Sequence, residues 1–298
     1  MDRVSREDGL LSPQLMARLE RLELVSRKIF RGRLKGERRS RRQGQSVEFA
    51  DFRNYVHGDD IRFIDWNLYA RLDRLFLKLF LEEEDLHIHL LIDASTSMDF
   101  GQPTKLQYAK QMAAALGFVG LCRADRVKIE VLGQSRANPG PVLRGRGSLW
   151  RMLDYLDQIQ PGINVSLSDG IKDFCLRNQG QGILLLLTDL MDKSGYESAL
   201  RYLLARRLDV YVVQILSAEE HSPQLKGDLR LVDCEDQNVA EVTISRPLLD
   251  RYQRTLAAFI DGAREFCTRR GMTHLLTNTE IPVETVVASY LRQRGLVR

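Results

Sequence analysis

The sequence has few cysteines and no long hydrophobic run. Its cysteines are widely separated and show neither the paired spacing of a zinc site nor a disulfide framework, so we expect free thiols in a reducing compartment. No apolar stretch reaches the roughly 18–20 residues that a membrane-spanning helix needs. The N-terminus lacks the apolar core of a signal peptide. We therefore expect a cytoplasmic chain without a membrane span.

The motifs of common phosphate-handling and hydrolytic enzymes are also missing. The sequence contains no Gly-x-x-x-x-Gly-Lys-Ser/Thr phosphate loop and no Gly-x-Ser-x-Gly nucleophile turn. We therefore predict a protein that is not an enzyme and has no catalytic residues.

Positive charge is concentrated near the N-terminus. Residues 1–42 contain 13 Lys and Arg against 6 Asp and Glu, although the whole chain has a net charge of only +4. Nine of the 16 residues in 27–42 are Lys or Arg, which is enough for a salt-sensitive phosphate contact. Phe30 is the only aromatic residue there, and no nucleic-acid-binding motif accompanies it. A docking surface for an acidic partner is favoured, and nucleic-acid binding is the alternative.

From residue 86 onward, short apolar strands alternate with amphipathic helices. This alternation is typical of a mostly parallel sheet with helices on both faces, a three-layer α/β fold. The segment 183–187 is apolar at every position, as expected for a strand that helices cover on both sides. The predicted strands are 87–92, 127–132, 183–187, 210–215 and 274–277, with a hairpin over 228–244. The predicted helices are 104–122, 148–160, 166–178, 195–207, 246–270 and 282–293.

Two smaller parts precede this main domain, which we place at residues 86–298. Residues 1–42 are predicted to contain a helix over 12–30, which begins at Ser12-Pro13, and a basic loop. Residues 43–85 are predicted to form a strand-rich module, with short strands at 61–66 and 75–80.

Two predicted strands of the main domain end in carboxylates. Asp93 follows the first strand and Asp189 follows the third, and ligands of open α/β sheets bind beyond the carboxyl ends of the strands. Ser95 and Ser97 add hydroxyls at alternate positions. Oxygen ligands with one or two carboxylates suit Mg²⁺ or Mn²⁺. The alternative is that Asp93 and the serines only cap the following turn.

The run Asp93-Ala-Ser95-Thr-Ser97 resembles the first element of the metal-ion-dependent adhesion site (MIDAS) of von Willebrand factor A domains. Asp189 is similar to a later aspartate of that family. The resemblance implies a von Willebrand factor A-like, Rossmann-like domain in which these four residues hold a magnesium ion.

That family also uses a threonine between these two elements. The corresponding position is Ile163, which cannot ligate a metal ion, so Asn164, Ser166 or a water molecule would have to substitute. We include Ser166 among the predicted ligands.

A second resemblance concerns the segment before residue 86. Here Asp59, Asp60 and Asp65 can either bind metal or pair with neighbouring arginines, and pairing is the commoner arrangement. Together with the Asp93 motif, the segment resembles the bacterial domain-of-unknown-function family 58 (DUF58) over about residues 40–245. The elements of this resemblance are Glu48-Phe49, Arg53-x-Tyr55, Gly58-Asp59-Asp60-x-Arg62-x-Ile64-Asp65-Trp66 and Ala70-Arg71.

The DUF58 resemblance implies a protein-interaction role. Members of that family are commonly associated with MoxR-type AAA+ ATPases, so we expect an adaptor or co-chaperone that binds such an ATPase and a client presenting a carboxylate. The enzymatic alternative is a metal-dependent phosphohydrolase. Such an enzyme needs a second aspartate two residues after Asp93 as general acid, and that position is Ser95.

Overall fold

The computed structural model describes residues 10–25, 48–81, 86–132, 140–162, 166–178, 180–233 and 238–297. Contacts within the chain divide it into two compact units, one of residues 34–85 and one of residues 1–33 together with 86–298. The basic segment 27–42 lies outside the described residues. In the described part of the chain, no helix combines the length and the apolar character needed to cross a membrane.

The elements are numbered in chain order. The strands are β1 (Glu48–Asn54), β2 (Phe76–Leu81), β3 (His87–Asp93), β4 (Arg126–Leu132), β5 (Val142–Arg144), β6 (Gly182–Thr188), β7 (Leu208–Leu216), β8 (Gly227–Val232), β9 (Val239–Ile244) and β10 (Thr273–Asn278). The helices are α1 (Pro13–Leu19), α2 (Trp66–Leu72), α3 (Lys105–Cys122), α4 (Leu149–Asp157), α5 (Leu167–Arg177), α6 (Glu197–Leu204), α7 (Ala218–His221), α8 (Arg246–Arg269) and α9 (Val283–Thr285), which continues as a π-helix over Val286–Leu291.

The larger unit is built on a six-stranded sheet. Its strand order is β10-β7-β6-β3-β4-β5, and all neighbouring strands are parallel except β5, which pairs antiparallel with β4. The order reverses between β3 and β6, since the chain adds β4 and β5 on one side and then returns to add β6, β7 and β10 on the other. The predicted α/β fold with a mostly parallel sheet is confirmed.

Helices cover both faces of this sheet. Alternate residues of β3 and β6 enter two separate hydrophobic clusters, one containing Leu90 and Leu185 and the other Leu91 and Leu184. The first cluster includes residues of α1, α3, α4 and α9, and the second includes residues of α5, α6 and α8. Every residue of β6 is buried, which is the covering on two sides that its apolar sequence predicts.

The predicted helix over 12–30 is too long. Ser12 does cap α1, because its side chain accepts a hydrogen bond from the Leu15 amide, but the helix ends at Leu19. Leu24 instead forms a β-bridge with Val297, and Val25 donates its amide to the Leu296 carbonyl. Pairing with the C-terminal segment therefore replaces further helical turns. The rest of the predicted helix, residues 26–30, lies outside the described residues.

The smaller unit contains the antiparallel pair β1 and β2. The predicted strand over 61–66 is wrong, since Ile61–Phe63 form a 3-10 turn and α2 begins at Trp66. The Asp60 and Asp65 side chains cap these two helical segments, and such caps outweigh the strand propensity of the apolar residues between them.

Three aspartates of this unit form ion pairs with described cationic residues. The ion pairs are Arg53–Asp59 at 2.8 Å, Arg62–Asp60 at 2.6 Å and Lys78–Asp65 at 3.2 Å. The structure supports the predicted pairing with arginines for Asp59 and Asp60, whereas Asp65 pairs with a lysine from β2.

Candidate metal centre

The candidate site lies where the strand order of the large sheet reverses. Asp93 is the last residue of β3, and Asp189 directly follows the last residue of β6, Thr188. β3 and β6 are parallel neighbours, so both carboxylates lie at the same edge of the sheet. In open α/β sheets this reversal opens a crevice beyond the strand ends, and ligands bind there.

Asp93 is buried, and among the described residues it accepts hydrogen bonds only from neutral groups. The residue is only 6% exposed, its Oδ1 accepts the Ser95 amide at 3.0 Å and its Oδ2 accepts the Thr188 hydroxyl at 2.6 Å. Both donors are neutral. Burial, and secondly the negative charge of Asp189, raise the pKa of Asp93 to about 6. The ionised form of Asp93 is thus disfavoured in the protein.

The two serines follow on a short 3-10 turn over Thr96–Met98. Their hydroxyl oxygens lie 3.0 Å apart, and both residues are half-buried. Met98 has no exposed surface and anchors the turn in the core. The structure therefore places two hydroxyls next to the buried Asp93 carboxylate, on a loop that packing holds in position.

Asp189 has a different environment. It is 1% exposed, and its Oδ1 accepts the Met191 amide at 2.9 Å. Its Oδ2 accepts a hydrogen bond from Lys105 Nζ at 2.8 Å, and the same ammonium donates to Glu220 Oε1 at 2.5 Å. Burial opposes the charge of Lys105, but the two carboxylates outweigh it and raise the pKa of the lysine. The second carboxylate of the site thus has an internal counter-ion.

The backbone turns sharply after Asp189. Leu190 has a φ of 64°, a left-handed conformation that is unfavourable for a residue with a side chain. The conformation directs the Leu190 amide to Thr188 Oγ1 at 3.0 Å, and Thr188 in turn donates to Asp93. The turn therefore links the ends of β6 and β3. Backbone strain of this kind is often found at functional sites.

The remaining predicted ligand, Ser166, caps a helix. Its hydroxyl accepts the Asp169 amide at 3.1 Å and donates to Asp169 Oδ2 at 2.9 Å. Ile163 and Asn164 lie outside the described residues. Gly162, the last described residue before them, donates its amide to the Ala94 carbonyl at 2.7 Å. Ligation by Ser166 stays a prediction.

Sequence reasoning missed Lys105, Thr188 and Glu220. One signal for Lys105 was available, since Thr104 caps α3 and makes Lys105 its first residue. A cation is unfavourable at a helix N-terminus, so a lysine there suggests a compensating carboxylate. Thr188 directly precedes Asp189, but nothing in the neighbouring sequence indicates that its hydroxyl donates to Asp93. Glu220 is far away in sequence and carried no signal.

The donor set is compatible with a hard divalent cation. It contains the two carboxylates and the hydroxyls of Ser95 and Ser97, all of them oxygen ligands of the type that Mg²⁺ uses together with water. Among the described residues, no group of three or more His, Cys, Asp or Glu is arranged for a metal ion. An ion at this site would therefore have few charged ligands. Its positive charge would compensate the negative charge of Asp93, which burial disfavours.

The sequence matches the family described as "Protein of unknown function DUF58" over residues 51–259, well over half of the chain. The chain belongs to this family. Its relatives include the uncharacterized protein Rv1480 of Mycobacterium tuberculosis and the uncharacterized protein Mb1516 of Mycobacterium bovis. Each is 26% identical over 251 residues, which cover 83% of this chain and 79% of the relative.

Solved structures that resemble the chain include BatB from Bacteroides thetaiotaomicron, with a TM-score of 0.46 and 14% identity over 70% of this chain and 98% of that one. The VWA domain of SpRpn10 has a TM-score of 0.39 and 12% identity over 68% of this chain and 94% of that one. The strand order and helical layers described above, rather than these similarities, define the fold.

Proposed function

We propose that this protein is a non-enzymatic interaction module that binds a partner protein at the strand ends around Asp93. The observation that carries the proposal is the buried Asp93 carboxylate at the reversal of the sheet, which has two adjacent hydroxyls and, in the part of the chain that the structure describes, only neutral hydrogen-bond donors. Such a carboxylate gains from an external cation. The position two residues further on is Ser95, which is not an acid, and this favours binding over phosphohydrolase chemistry.

The cation in this proposal is Mg²⁺ or Mn²⁺. Asp93, Ser95 and Ser97 would hold it, with Asp189 as a direct or water-mediated ligand and Ser166 as a further candidate. The ion supplies an open coordination position for a carboxylate of the client, and contacts between ionised groups are stronger than neutral hydrogen bonds. The residues of this chain provide the fixed oxygen ligands and the surrounding surface.

The surface next to the site has an apolar anchor. Phe100 is 49% exposed and follows the 3-10 turn that carries the two serines. Its loop packs against α7, since a Cβ added at Gly101 would meet the Ser217 side chain at 2.6 Å. Aromatic residues are common among the few residues that dominate binding at protein interfaces. Phe100 is such a residue, exposed on a fixed loop beside a polar centre.

The partner in this proposal is a MoxR-type AAA+ ATPase, for which the chain acts as an adaptor or co-chaperone in the cytoplasm. Membership of the DUF58 family supports this choice, because the family resemblance implies such an ATPase. The basic segment 27–42 offers a second contact, through charge attraction to an acidic surface of the ATPase.

Cation binding is tested by thermal unfolding with and without Mg²⁺ or Mn²⁺. At a free-ion concentration a hundred times the dissociation constant, linkage predicts a stabilisation of about 2.7 kcal/mol. Asp93→Ala should remove this increment. Asp99→Ala is the matched control, because Asp99 is an exposed aspartate on the same loop and should leave the increment unchanged. Equal increments in the wild type and Asp93→Ala would refute the site.

Partner binding is tested with the purified ATPase and immobilised protein. The wild type and Asp99→Ala should retain the ATPase or its client complex in Mg²⁺, whereas Asp93→Ala should lose most of it. Equal recovery by all three proteins would show that docking takes place elsewhere.

A further inference from the structure

We propose that Lys105 is a built-in cation that lowers the affinity of this site for divalent ions and keeps such an ion on the Asp93 side. The inference rests on the cation site proposed above and concerns its regulation. It starts from the ion triad of Asp189, Lys105 and Glu220, whose N–O distances are 2.8 and 2.5 Å.

Lys105 is placed in the site by the fold. Among the described residues it is the only lysine or arginine that is fully buried. It is also the first residue of α3, where the helix dipole disfavours a positive charge. Burial and position both oppose the ammonium, so the two carboxylates are what hold it there.

Glu220 is fixed independently of the lysine. Its Oε2 accepts the Ser217 amide at 2.8 Å and its own amide donates to Ser217 Oγ at 3.1 Å, which is a complete capping box at the start of α7. Its carbonyl oxygen accepts the Tyr252 hydroxyl at 2.7 Å. Because one carboxylate oxygen and both backbone polar groups of Glu220 are held by these contacts, the ammonium cannot easily move Glu220 away from Asp189.

The ammonium competes directly for Asp189. Both oxygens of that carboxylate already accept a hydrogen bond, one from Lys105 and one from the Met191 amide. A metal ion bonded directly to Asp189 would come close to the ammonium, and two cations at such a distance repel each other strongly in a buried environment. A divalent ion is therefore confined to Asp93, Ser95 and Ser97, with Asp189 reached through water.

The proposal predicts opposite effects for two charge-removing substitutions. Titration calorimetry with MgCl₂ on the full-length chain should show that Lys105→Gln binds Mg²⁺ about tenfold more tightly than the wild type, or better, because a nearby positive charge is gone. Glu220→Gln should bind more weakly, because the lysine charge is then less compensated. Lys110→Gln, on the same helix, is the matched control, and its affinity should equal that of the wild type.

The outcomes separate this proposal from the one on which it rests. Unchanged or weaker binding by Lys105→Gln overturns it, as does the absence of Mg²⁺ binding in every folded variant. If Lys105→Gln does not fold, the Mg²⁺ affinity of Glu220→Gln tests the proposal. An affinity of Glu220→Gln equal to or above that of the wild type overturns it. The proposal is supported if Lys105→Gln binds Mg²⁺ more tightly than the wild type and if adding Asp93→Ala abolishes this binding. This result supports the role of Lys105 even if the pull-down shows that the partner docks elsewhere.

Discussion

Two aspartates at the ends of neighbouring strands have opposite electrostatic environments. Asp93 and Asp189 are both almost completely buried and lie at the same edge of the sheet. Asp93 accepts hydrogen bonds from neutral groups and is driven toward protonation, whereas Asp189 is paired with the buried ammonium of Lys105. Burial is shared, so the difference arises from the neighbouring side chains alone.

This contrast assigns different roles to the two residues. A buried ion pair contributes little net stability, but it becomes costly when one partner is removed, because the remaining charge is left uncompensated. Asp189 therefore belongs to the folded framework of the site. Asp93 has no cationic partner among the described residues, so binding of an external cation is most favourable at Asp93.

The largest expected effect is the loss of the internal counter-ion. Lys105→Met leaves Asp189 and Glu220 without their shared cation and should destabilise the protein by about 3–5 kcal/mol. Urea denaturation at pH 7 without divalent ions measures this change. Lys110→Met, on the same helix, should have a much smaller effect, because Lys110 makes only a long contact of 3.4 Å with the Asp157 carbonyl. Equal urea midpoints for the two variants would contradict the role given to Lys105.

A smaller effect is expected from neutralising each aspartate in turn, with opposite signs for Asp93 and Asp189. Asp93→Asn removes a disfavoured charge, so without divalent ions at pH 7 it should stabilise the protein by up to about 3 kcal/mol, as the raised pKa implies. Asp189→Asn should destabilise it, because Lys105 loses a partner. Thermal unfolding of both variants tests the contrast. Changes of the same sign would mean that the two carboxylates are not electrostatically distinct.

The sequence allowed the fold of the larger unit and the position of the site to be predicted. The parallel strands are apolar runs alternating with helices, so their positions along the chain could be identified locally, whereas the antiparallel edge strand β5 was not predicted. An aspartate directly after such a run, as at Asp93, must lie at the carboxyl edge of a parallel sheet. The same rule places Asp189 at that edge, but the pairing of β3 with β6 is known only from the structure.

The electrostatics of the site could not be predicted in this way. Lys105 and Asp189 are 84 residues apart, and only the packing of α3 against the sheet brings them together. In the smaller unit the error was local, because Asp60 and Asp65 were interpreted as metal ligands or ion-pair partners and not as helix caps. The predicted strand over 61–66 therefore depended on the pattern of apolar residues alone, and it was wrong.

The smallest effect concerns the other end of β3. His89 is buried, and its ring packs edge-on against Phe174 at 5.4 Å between centroids. Burial, with smaller contributions from the charges of His87 and Lys128, lowers the pKa of His89 to about 4. The same strand thus carries two groups whose charged forms are disfavoured by burial, a base at its start and an acid at its end.

These two groups give opposite dependences on pH. The folded pKa of His89 lies below its ordinary value of 6.5, so the stability that its neutral form contributes is lost as the pH falls from about 6.5 toward 4. The folded pKa of Asp93 lies above its ordinary value of 3.8, so protonation of Asp93 adds stability as the pH falls below about 6.

The test compares unfolding free energies at pH 7.5 and pH 5.5. Between these two conditions the wild type should lose about 1 kcal/mol more than His89→Leu, because leucine takes up no proton. Asp93→Asn should deviate in the other direction and lose more than the wild type, since it lacks the gain from protonation. If His89→Leu lost as much stability as the wild type, burial of the imidazole would not be the cause of the acid sensitivity, and the symmetry between the two ends of β3 would fail.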